Sequence, residues 1–176
     1  LPGVLEKELY GSWPPEAFAA QAIAARSYAI AQQAGTASRH YDLESTTASQ
    51  VYGGRATSSK AIAAVERTRG QVLTWDGRVI TAFFSASSGG VSQDGSAAFP
   101  DRQGRADIPP LRGRQHGWGR SSGNFAWGPI HRDTRELSQR LAAWGRANRH
   151  AVAGIGRVTR IDVVQRGSSG RPAVFQ

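Results

Sequence analysis

A long alanine-rich helix, predicted over residues 16–33, restricts the fold of this chain more than any other feature. Pro15 suits the first turn of such a helix, Glu16 suits its dipole, and Gly35 ends it. One face, at helical spacing, carries Phe18, Ala22, Ala25 and Ala29. Because small side chains let neighbouring elements approach closely, we predict that this helix lies at the centre of the fold.

The rest of the chain predicts a mixture of helices and hairpins. Asp76-Gly77 lies between two apolar runs, which predicts a β-hairpin with strands over 72–75 and 79–84. The further elements are a helix that ends near residue 9, a helix over 59–69, long loops over 91–130, a helix over 133–146 opened by a capping box, a strand over 158–164 and its hairpin partner over 173–175. Regular βαβ alternation is missing. We therefore predict an α+β fold, in which the central Ala-rich helix packs with antiparallel β-hairpins and long loops.

The composition is that of one folded domain of 176 residues with a basic surface. Lys and Arg number 22 against 13 Asp and Glu, so the net charge is +9. This excess fits an acidic partner, such as a nucleic acid, a membrane surface or an anionic polysaccharide, and it fits a solvated basic face equally well. No apolar run reaches the ~18 residues of a membrane span. The absence of cysteine excludes disulfides, thiolate zinc sites and cysteine nucleophiles.

Several familiar catalytic patterns do not occur in the sequence. There is no G-x-S-x-G nucleophile elbow, and Gly154-Ile-Gly156 lacks the third glycine of a dinucleotide-binding loop. The histidines have no close metal-ligand spacing; they are His40, His116, His131 and His150. The chemistry that remains belongs to carboxylates and hydroxyls.

Glu8 is the most informative acidic residue because it lies directly before a glycine–serine break at residues 11–12. Leu9 and Trp13 flank it, and an apolar environment disfavours the charged form of a carboxylic acid. Such a group can act as a general acid at neutral pH. Position alone also fits a solvated charge at the end of a helix. Glu6, two residues earlier, is expected to point to a different face of that helix.

Three other features allow both a functional and a structural interpretation. Arg26 interrupts a mostly apolar helix and needs a partner, which is a site carboxylate, an anionic substrate or a structural ion pair. Hydroxyl groups at a strand end, beside two glycines, could bind substrate or satisfy the turn; they belong to Ser85, Ser87 and Ser88. Two tryptophans in predicted loops could stack on sugar rings or anchor the loops; they are Trp118 and Trp127.

Four blocks of sequence, taken together and in order, resemble the stage II sporulation protein D family (SpoIID), with its related LytB amidase enhancers. The blocks are GVLEKEL at 3–9 with WPPEAFAAQAIAARSYA at 13–29, YDL at 41–43 with QVYGG at 50–54, AVERTRGQVL at 64–73, and VITAFFSASSGG at 79–90. Residues 156–171 are similar to the closing strands of the family. From this resemblance we expect one SpoIID-like domain over residues 1–176, truncated at both ends.

The resemblance implies a lytic transglycosylase, which cleaves the MurNAc–GlcNAc bond of peptidoglycan and leaves a 1,6-anhydro product. Its preferred substrate would be glycan strands without peptide stems. Glu8 occupies the position of the family's catalytic glutamate, and we expect it to lie in a groove facing Arg26 and the turn at 85–88. Other positions that match the family's substrate-binding sites are Arg26, Gln50, Tyr52, Ser85, Ser87 and Ser88. The LytB branch implies an alternative, a non-catalytic glycan-binding module that enhances an amidase.

The resemblance also predicts where the protein acts and with what. It implies a secreted or envelope protein outside the cytoplasm, with peptidoglycan glycan strands and a cell-wall amidase as partners, and no membrane span within this chain. No cofactor is expected. Some family members carry a zinc site with Cys and His in the second block, but residues 38–45 contain no cysteine, so no metal is expected either. Nucleic-acid binding is supported by charge alone, since the basic residues are dispersed and no matching motif accompanies them.

Overall fold

The computed structural model describes residues 1–33, 43–46, 49–99, 106–123, 125–126 and 128–176. Within them the chain forms helices and two antiparallel strand pairs, which confirms the predicted α+β class. The elements are α1 (Pro2–Glu8), α2 (Pro15–Gln33), α3 (Ser59–Arg67), β1 (Thr74–Trp75), β2 (Arg78–Val79), α4 (Gly95–Ala98), α5 (Thr134–Ala147), β3 (Val163–Arg166) and β4 (Pro172–Phe175), with 3₁₀ helices at Pro109–Leu111 and Ala151–Gly154. None of these described helices has an apolar stretch long enough to cross a bilayer.

The chain divides into two compact units. The first contains Leu1–Ser85 and Ala98–Arg112, and the second contains Ala86–Ala97 and Gly113–Gln176. That residues 1–176 form a single SpoIID-like domain stays a prediction. Five residues named above lie outside the described part of the chain; they are Gly35, His40, Tyr41, Asp42 and Trp127.

The core of the first unit lies where α1, α2 and α3 meet. It is formed by Leu5, Phe18, Ala22, Ala25, Ala61 and Ala64. Leu5 and Phe18 supply most of its volume, while the alanines of α2 and α3 let the two helices approach closely. Three of the four residues predicted on the inner face of α2 are buried, and Ala29 is half-buried. Since α2 packs against α1, α3 and β2, its predicted central position is confirmed.

The hairpin predicted from the Asp-Gly dipeptide is present, although both strands are shorter than predicted, and the first begins at Thr74 rather than at Val72. The two turn residues have φ angles of 49° and 70°, the left-handed conformation that tight hairpins prefer. The second strand ends at Val79 rather than at Phe84. Beyond it, the rings of Phe83 and Phe84 lie 6.2 and 6.5 Å from that of Tyr28 in α2, centroid to centroid. Aromatic packing against α2 therefore replaces strand pairing after Val79.

Helix α5 of the second unit begins where the capping pattern predicts. The Asp133 carboxylate accepts hydrogen bonds from the backbone N–H groups of Arg135 at 2.8 Å and Glu136 at 3.2 Å. These contacts satisfy two of the backbone donors that a helix start leaves unpaired. The Glu136 carboxylate does not complete a reciprocal capping box in these contacts, because it pairs with Arg140 at 2.8 Å.

Strands β3 and β4 form an antiparallel hairpin, which confirms the predicted partner strand at residues 173–175. The sequence predicts the first strand over 158–164, whereas it lies at Val163–Arg166. The turn explains this displacement: the Gly167 N–H donates to the Arg171 carbonyl, so the residues directly before Gly167 are the ones that pair. Two register shifts interrupt the ladder, and every residue of both strands is exposed.

Gly3 allows α1 to lie directly against the segment 52–54. Its carbonyl oxygen accepts a hydrogen bond from the Gly53 N–H at 3.2 Å, and a Cβ on Gly3 would lie 2.1 Å from the Gly54 carbonyl oxygen. We expect Gly3→Ala to lower the free energy of unfolding by about 1–3 kcal/mol, because the two backbones must separate. Urea unfolding measures the loss. Gly11→Ala is the matched control, since a Cβ there meets nothing within 4 Å; equal losses in both variants would contradict the close approach.

Candidate functional site

Glu8 is the last residue of α1, and its side chain is half-buried. The helix ends at Leu9, whose extended backbone turns the chain away while its N–H still donates to the Leu5 carbonyl. Leu5 is fully buried in the core, so the end of the helix that carries Glu8 is held in place. Among the described residues, none forms a hydrogen bond or an ion pair with the Glu8 carboxylate. The carboxylate is therefore available to a ligand.

Glu6 has a different role, although it belongs to the same helix. Its carboxylate accepts a hydrogen bond from the Thr57 N–H at 2.8 Å and another from the Ser58 N–H. These two donors lie at the start of α3, where Ser58 is the N-cap. The hydrogen bond from Ser58, followed by those from Thr57, lowers the pKa of Glu6. Glu6 therefore ties α1 to α3, and the two carboxylates face different surroundings, as the helical spacing predicts.

The segment that follows Glu8 is positioned by Lys60 of α3. The Lys60 ammonium donates to the Gly11 and Trp13 carbonyl oxygens, each at 2.6 Å. The rings of Tyr10 and Trp13 lie 6.2 Å apart, centroid to centroid, and their side chains are 70% and 42% exposed. Glu8 is thus followed in the sequence by a segment that carries two exposed aromatic residues and whose backbone Lys60 holds in place. The role of Lys60 was not predicted from the sequence. The feature that could have indicated it is the rarity of lysine, which occurs only twice in the chain.

Arg26 binds carbonyl and hydroxyl oxygens at the C-terminal end of α3. Its guanidinium donates to the Gln71 carbonyl at 2.9 Å, to the Val65 carbonyl at 3.3 Å and to the Thr68 hydroxyl at 3.4 Å. Carbonyl groups at a helix end lack partners within the helix and carry partial negative charge, which a cation compensates. The sequence predicts that Arg26 has a partner. In these contacts that partner is the end of a helix and not a carboxylate.

Arg26 also lines a cavity of about 440 Å³ in the first unit, together with Gln50. The Gln50 side chain is 4% exposed and donates to the Ala25 carbonyl at 3.0 Å. Glu8 is not among the residues that line this cavity. The lining residues at the N-terminal end of α1 are Leu1 and Val4, at the opposite end of the helix from Glu8. The structure thus brings Arg26 and Gln50 together, and it places Glu8 elsewhere on the first unit.

Tyr52 and the residues of the predicted serine turn differ in their exposure and in the hydrogen bonds that their side chains form. The Tyr52 side chain is exposed. Ser85, in the first unit, is exposed too. In the second unit, Ser87 Oγ accepts a hydrogen bond from the Gly89 N–H at 3.3 Å, and Ser88 Oγ lies 2.7 Å from His116 Nε2. Sequence analysis considered His116 only as a metal ligand and so missed this contact, which spans 28 residues of chain.

The described part of the chain contains no group of three His, Cys, Asp or Glu side chains that could hold a metal ion. The site in the first unit instead consists of the Glu8 carboxylate, which has no partner among the described residues, and of two exposed aromatic residues that follow it in the sequence. Such an arrangement can donate and accept a proton next to a ring-shaped ligand.

Residues 1–75 match the sequence model of SpoIID, the stage II sporulation protein family. Over these residues the chain is similar to the SpoIID family. The resemblance seen in the sequence is therefore confirmed. The SpoIID match lies within the first unit and contains Glu8, Arg26, Gln50 and Tyr52.

Two relatives extend the comparison beyond the SpoIID match. A stretch of 93 residues, 53% of this chain, is 43% identical to a Bacillus subtilis (strain 168) protein named amidase enhancer. Over 99 residues, 55% of the chain, it is 38% identical to an uncharacterised protein of Brachyspira hyodysenteriae. The matched stretches span 12% and 27% of those proteins, so this chain corresponds to a minor part of each.

The Glu6 contacts predict how the stability of this chain responds to acid. Because the folded pKa of Glu6 lies below its ordinary value of 4.5, the stabilisation is present above pH 4.5 and is lost as the pH falls through the folded pKa. We expect Glu6→Gln to lower the thermal midpoint at neutral pH, and the wild-type and variant midpoints to converge below pH 4.5. Thermal unfolding monitored by circular dichroism over a pH series measures this. A difference that stays constant down to acid pH would contradict the role assigned to Glu6.

Proposed function

We propose that this chain is a lytic transglycosylase domain, which cleaves the MurNAc–GlcNAc bond of peptidoglycan with Glu8 as the single acid and base. One observation carries the proposal. The Glu8 carboxylate, within the part matched by the SpoIID family, stands at the end of an anchored helix and has no partner among the described residues. The cell envelope outside the cytoplasm is the corresponding place of action, and the relative named amidase enhancer fits this location.

The proposed reaction needs one carboxyl group that acts twice. Glu8 first protonates the glycosidic oxygen, and the bond between that oxygen and the anomeric carbon of MurNAc breaks. The C6 hydroxyl of the same MurNAc attacks the anomeric carbon and closes the 1,6-anhydro ring. The Glu8 carboxylate takes the proton that this hydroxyl loses, which restores the acid. No water is consumed, so the second carboxylate of a hydrolytic glycosidase is not required.

The aromatic pair beside Glu8 supplies a surface for the glycan. The rings of Tyr10 and Trp13 are exposed, Lys60 holds the backbone of their segment, and aromatic faces can pack against the apolar faces of sugar rings. In the proposal, exposed or half-buried residues contact the strand; they are Tyr52, Ser85, Ser87 and Ser88. Arg26 and Gln50 contribute by shaping the cavity that they line. The net charge of +9 favours a strand that carries lactyl carboxylates.

A second candidate is a glycan-binding module that enhances a cell-wall amidase without cleaving the strand. The name of the Bacillus subtilis relative favours it. The enhancer alternative gives the Glu8 carboxylate no role, whereas the transglycosylase proposal uses it as the acid and base.

Digestion of purified glycan strands without peptide stems distinguishes the two candidates. Mass spectrometry of the products is expected to show 1,6-anhydro-muramyl ends in the presence of the protein. In parallel, the protein is added to a cell-wall amidase acting on intact peptidoglycan. Amidase stimulation without any anhydro product would support the enhancer and reject the transglycosylase. Glu8→Gln tests the role of Glu8 itself.

A further inference from the structure

The second unit contains a polar pair, Ser88 and His116, in which the histidine has no role in the proposed reaction. Ser88 Oγ lies 2.7 Å from His116 Nε2. The His116 backbone N–H donates to the Gly90 carbonyl at 2.8 Å, so the histidine is fixed to the serine turn twice. The Arg171 guanidinium donates to the Ser88 carbonyl and, at 2.7 Å, to the Val91 carbonyl. These contacts hold both the backbone and the side chain of Ser88 in a fixed position.

The buried Nδ1 of His116 determines the direction of the hydrogen bond to Ser88. Nδ1 has no hydrogen-bond partner among the described residues. A buried N–H without an acceptor is rare and costly, so the tautomer with its proton on Nε2 is favoured over the one with its proton on Nδ1. Nε2 then donates to Ser88 Oγ. The hydroxyl proton of Ser88 is left free to donate to an acceptor on a ligand.

An exposed indole follows two residues after His116. Trp118 is 90% exposed, yet its loop is fastened on both sides. His116 binds the serine turn on one side, and on the other the Phe125 ring lies 3.2 Å from the position that a Cβ on Gly90 would occupy. Internal turns, such as the Ser122 N–H to the Gly119 carbonyl at 2.9 Å, keep the loop compact. The loop therefore presents the indole, with its apolar ring and its N–H donor, to solvent from a fixed base, and tryptophan is enriched at interfaces.

We propose that Ser88, His116 and Trp118 form a subsite for an N-acetylhexosamine residue of the glycan strand. Trp118 stacks on the pyranose ring, and the Ser88 hydroxyl donates to the acetamido carbonyl oxygen. His116 acts through Ser88 and is a positioning residue. The subsite holds the strand and moves no proton of the cleavage reaction. The inference rests on the proposed function for the identity of the ligand.

The test measures the affinity for purified glycan strands without peptide stems, by isothermal titration calorimetry, in a Glu8→Gln background so that the strand stays intact. We expect Trp118→Ala to weaken binding about tenfold or more. Ser88→Ala and His116→Phe are each expected to weaken it about three- to tenfold, and the double variant no further than either one. His116→Gln is expected to keep the background affinity, because its amide nitrogen can still donate to Ser88. Trp144→Ala, which removes another exposed tryptophan of the second unit, is the matched control and is expected to bind as the background does.

The outcomes separate the subsite from the reaction. Background affinity in both Trp118→Ala and Ser88→Ala overturns the subsite, whether or not the wild type cleaves the strand. A loss in His116→Gln equal to that in His116→Phe overturns the positioning role. Wild-type protein that cleaves no strand, combined with the expected losses of binding, rejects the transglycosylase and supports the subsite. No binding by the background protein overturns the subsite.

Discussion

Glu8→Gln is expected to reduce the release of 1,6-anhydro-muramyl products by about 10²–10⁴-fold, the range typical of a lost general acid. Glutamine has the size of glutamic acid but cannot deliver a proton to the glycosidic oxygen or take one from the C6 hydroxyl. The measurement is the initial rate of anhydro product release from strands without peptide stems, followed by mass spectrometry. Because the Glu8 carboxylate has no partner among the described residues, we expect the thermal midpoint to change little.

Glu6→Gln is the matched control for this experiment, since it removes a carboxylate two residues earlier on the same helix. Its hydrogen bonds to Thr57 and Ser58 support the packing of α1 on α3, so we expect lower stability with cleavage kept at temperatures where the variant is folded. Glu8→Gln is thus expected to lose activity and keep stability, whereas Glu6→Gln is expected to lose stability and keep activity. Equal product release by Glu8→Gln and the wild type would remove Glu8 from the reaction.

Phe18→Ala is expected to lower the free energy of unfolding by about 3–5 kcal/mol, the largest stability effect predicted for this chain. Phe18 is 1% exposed and is the largest fully buried side chain among the described residues. The other buried members of its cluster, apart from Leu5, are alanines, which have no long side chains to fill the space. The Lys60 ammonium also lies 5.4 Å from the centroid of the Phe18 ring, so the substitution removes a cation–π contact.

Urea unfolding, followed by circular dichroism, measures this effect. Ile30→Ala is the control on the same helix; Ile30 is exposed, and we expect a change within about 0.5 kcal/mol. If Phe18→Ala does not fold, Phe18→Leu provides a milder test with an intermediate loss. A loss for Phe18→Ala as small as that for Ile30→Ala would contradict the assignment of the core.

The sequence predicted those features that depend on local chemistry. The spacing of Phe18, Ala22 and Ala25 defines the buried face of α2, because helical periodicity and burial are coupled directly. The Asp-Gly dipeptide likewise defines its hairpin, and Asp133 the start of α5. The strand bounds were less accurate, since a strand ends where its partner ends. Val79 to Phe84 has strand composition, but the available contact is Tyr28 of α2.

The candidate site likewise has features that local sequence predicted and features that depend on contacts between distant segments. The family resemblance identifies Glu8 from neighbouring residues in the sequence, and residues 1–75 match the family. The partners of Arg26 could not be predicted, because the carbonyl groups of Val65 and Gln71 carry no sequence signal and become acceptors only through the end of α3. For the same reason the contact between Ser88 and His116 was missed: it joins two segments 28 residues apart, whose approach depends on the fold of the second unit.

The irregular ladder of β3 and β4 makes this hairpin a poor template for another strand. Several of its side chains are apolar and exposed, namely Val163, Val164, Val174 and Phe175. A regular edge with such side chains would offer evenly spaced N–H and C=O groups to a second chain and promote edge-to-edge aggregation. The two register shifts break that spacing, and the exposed Arg166 adds charge beside it. The irregular ladder therefore weakens the template that a regular edge with these side chains would offer to a second chain.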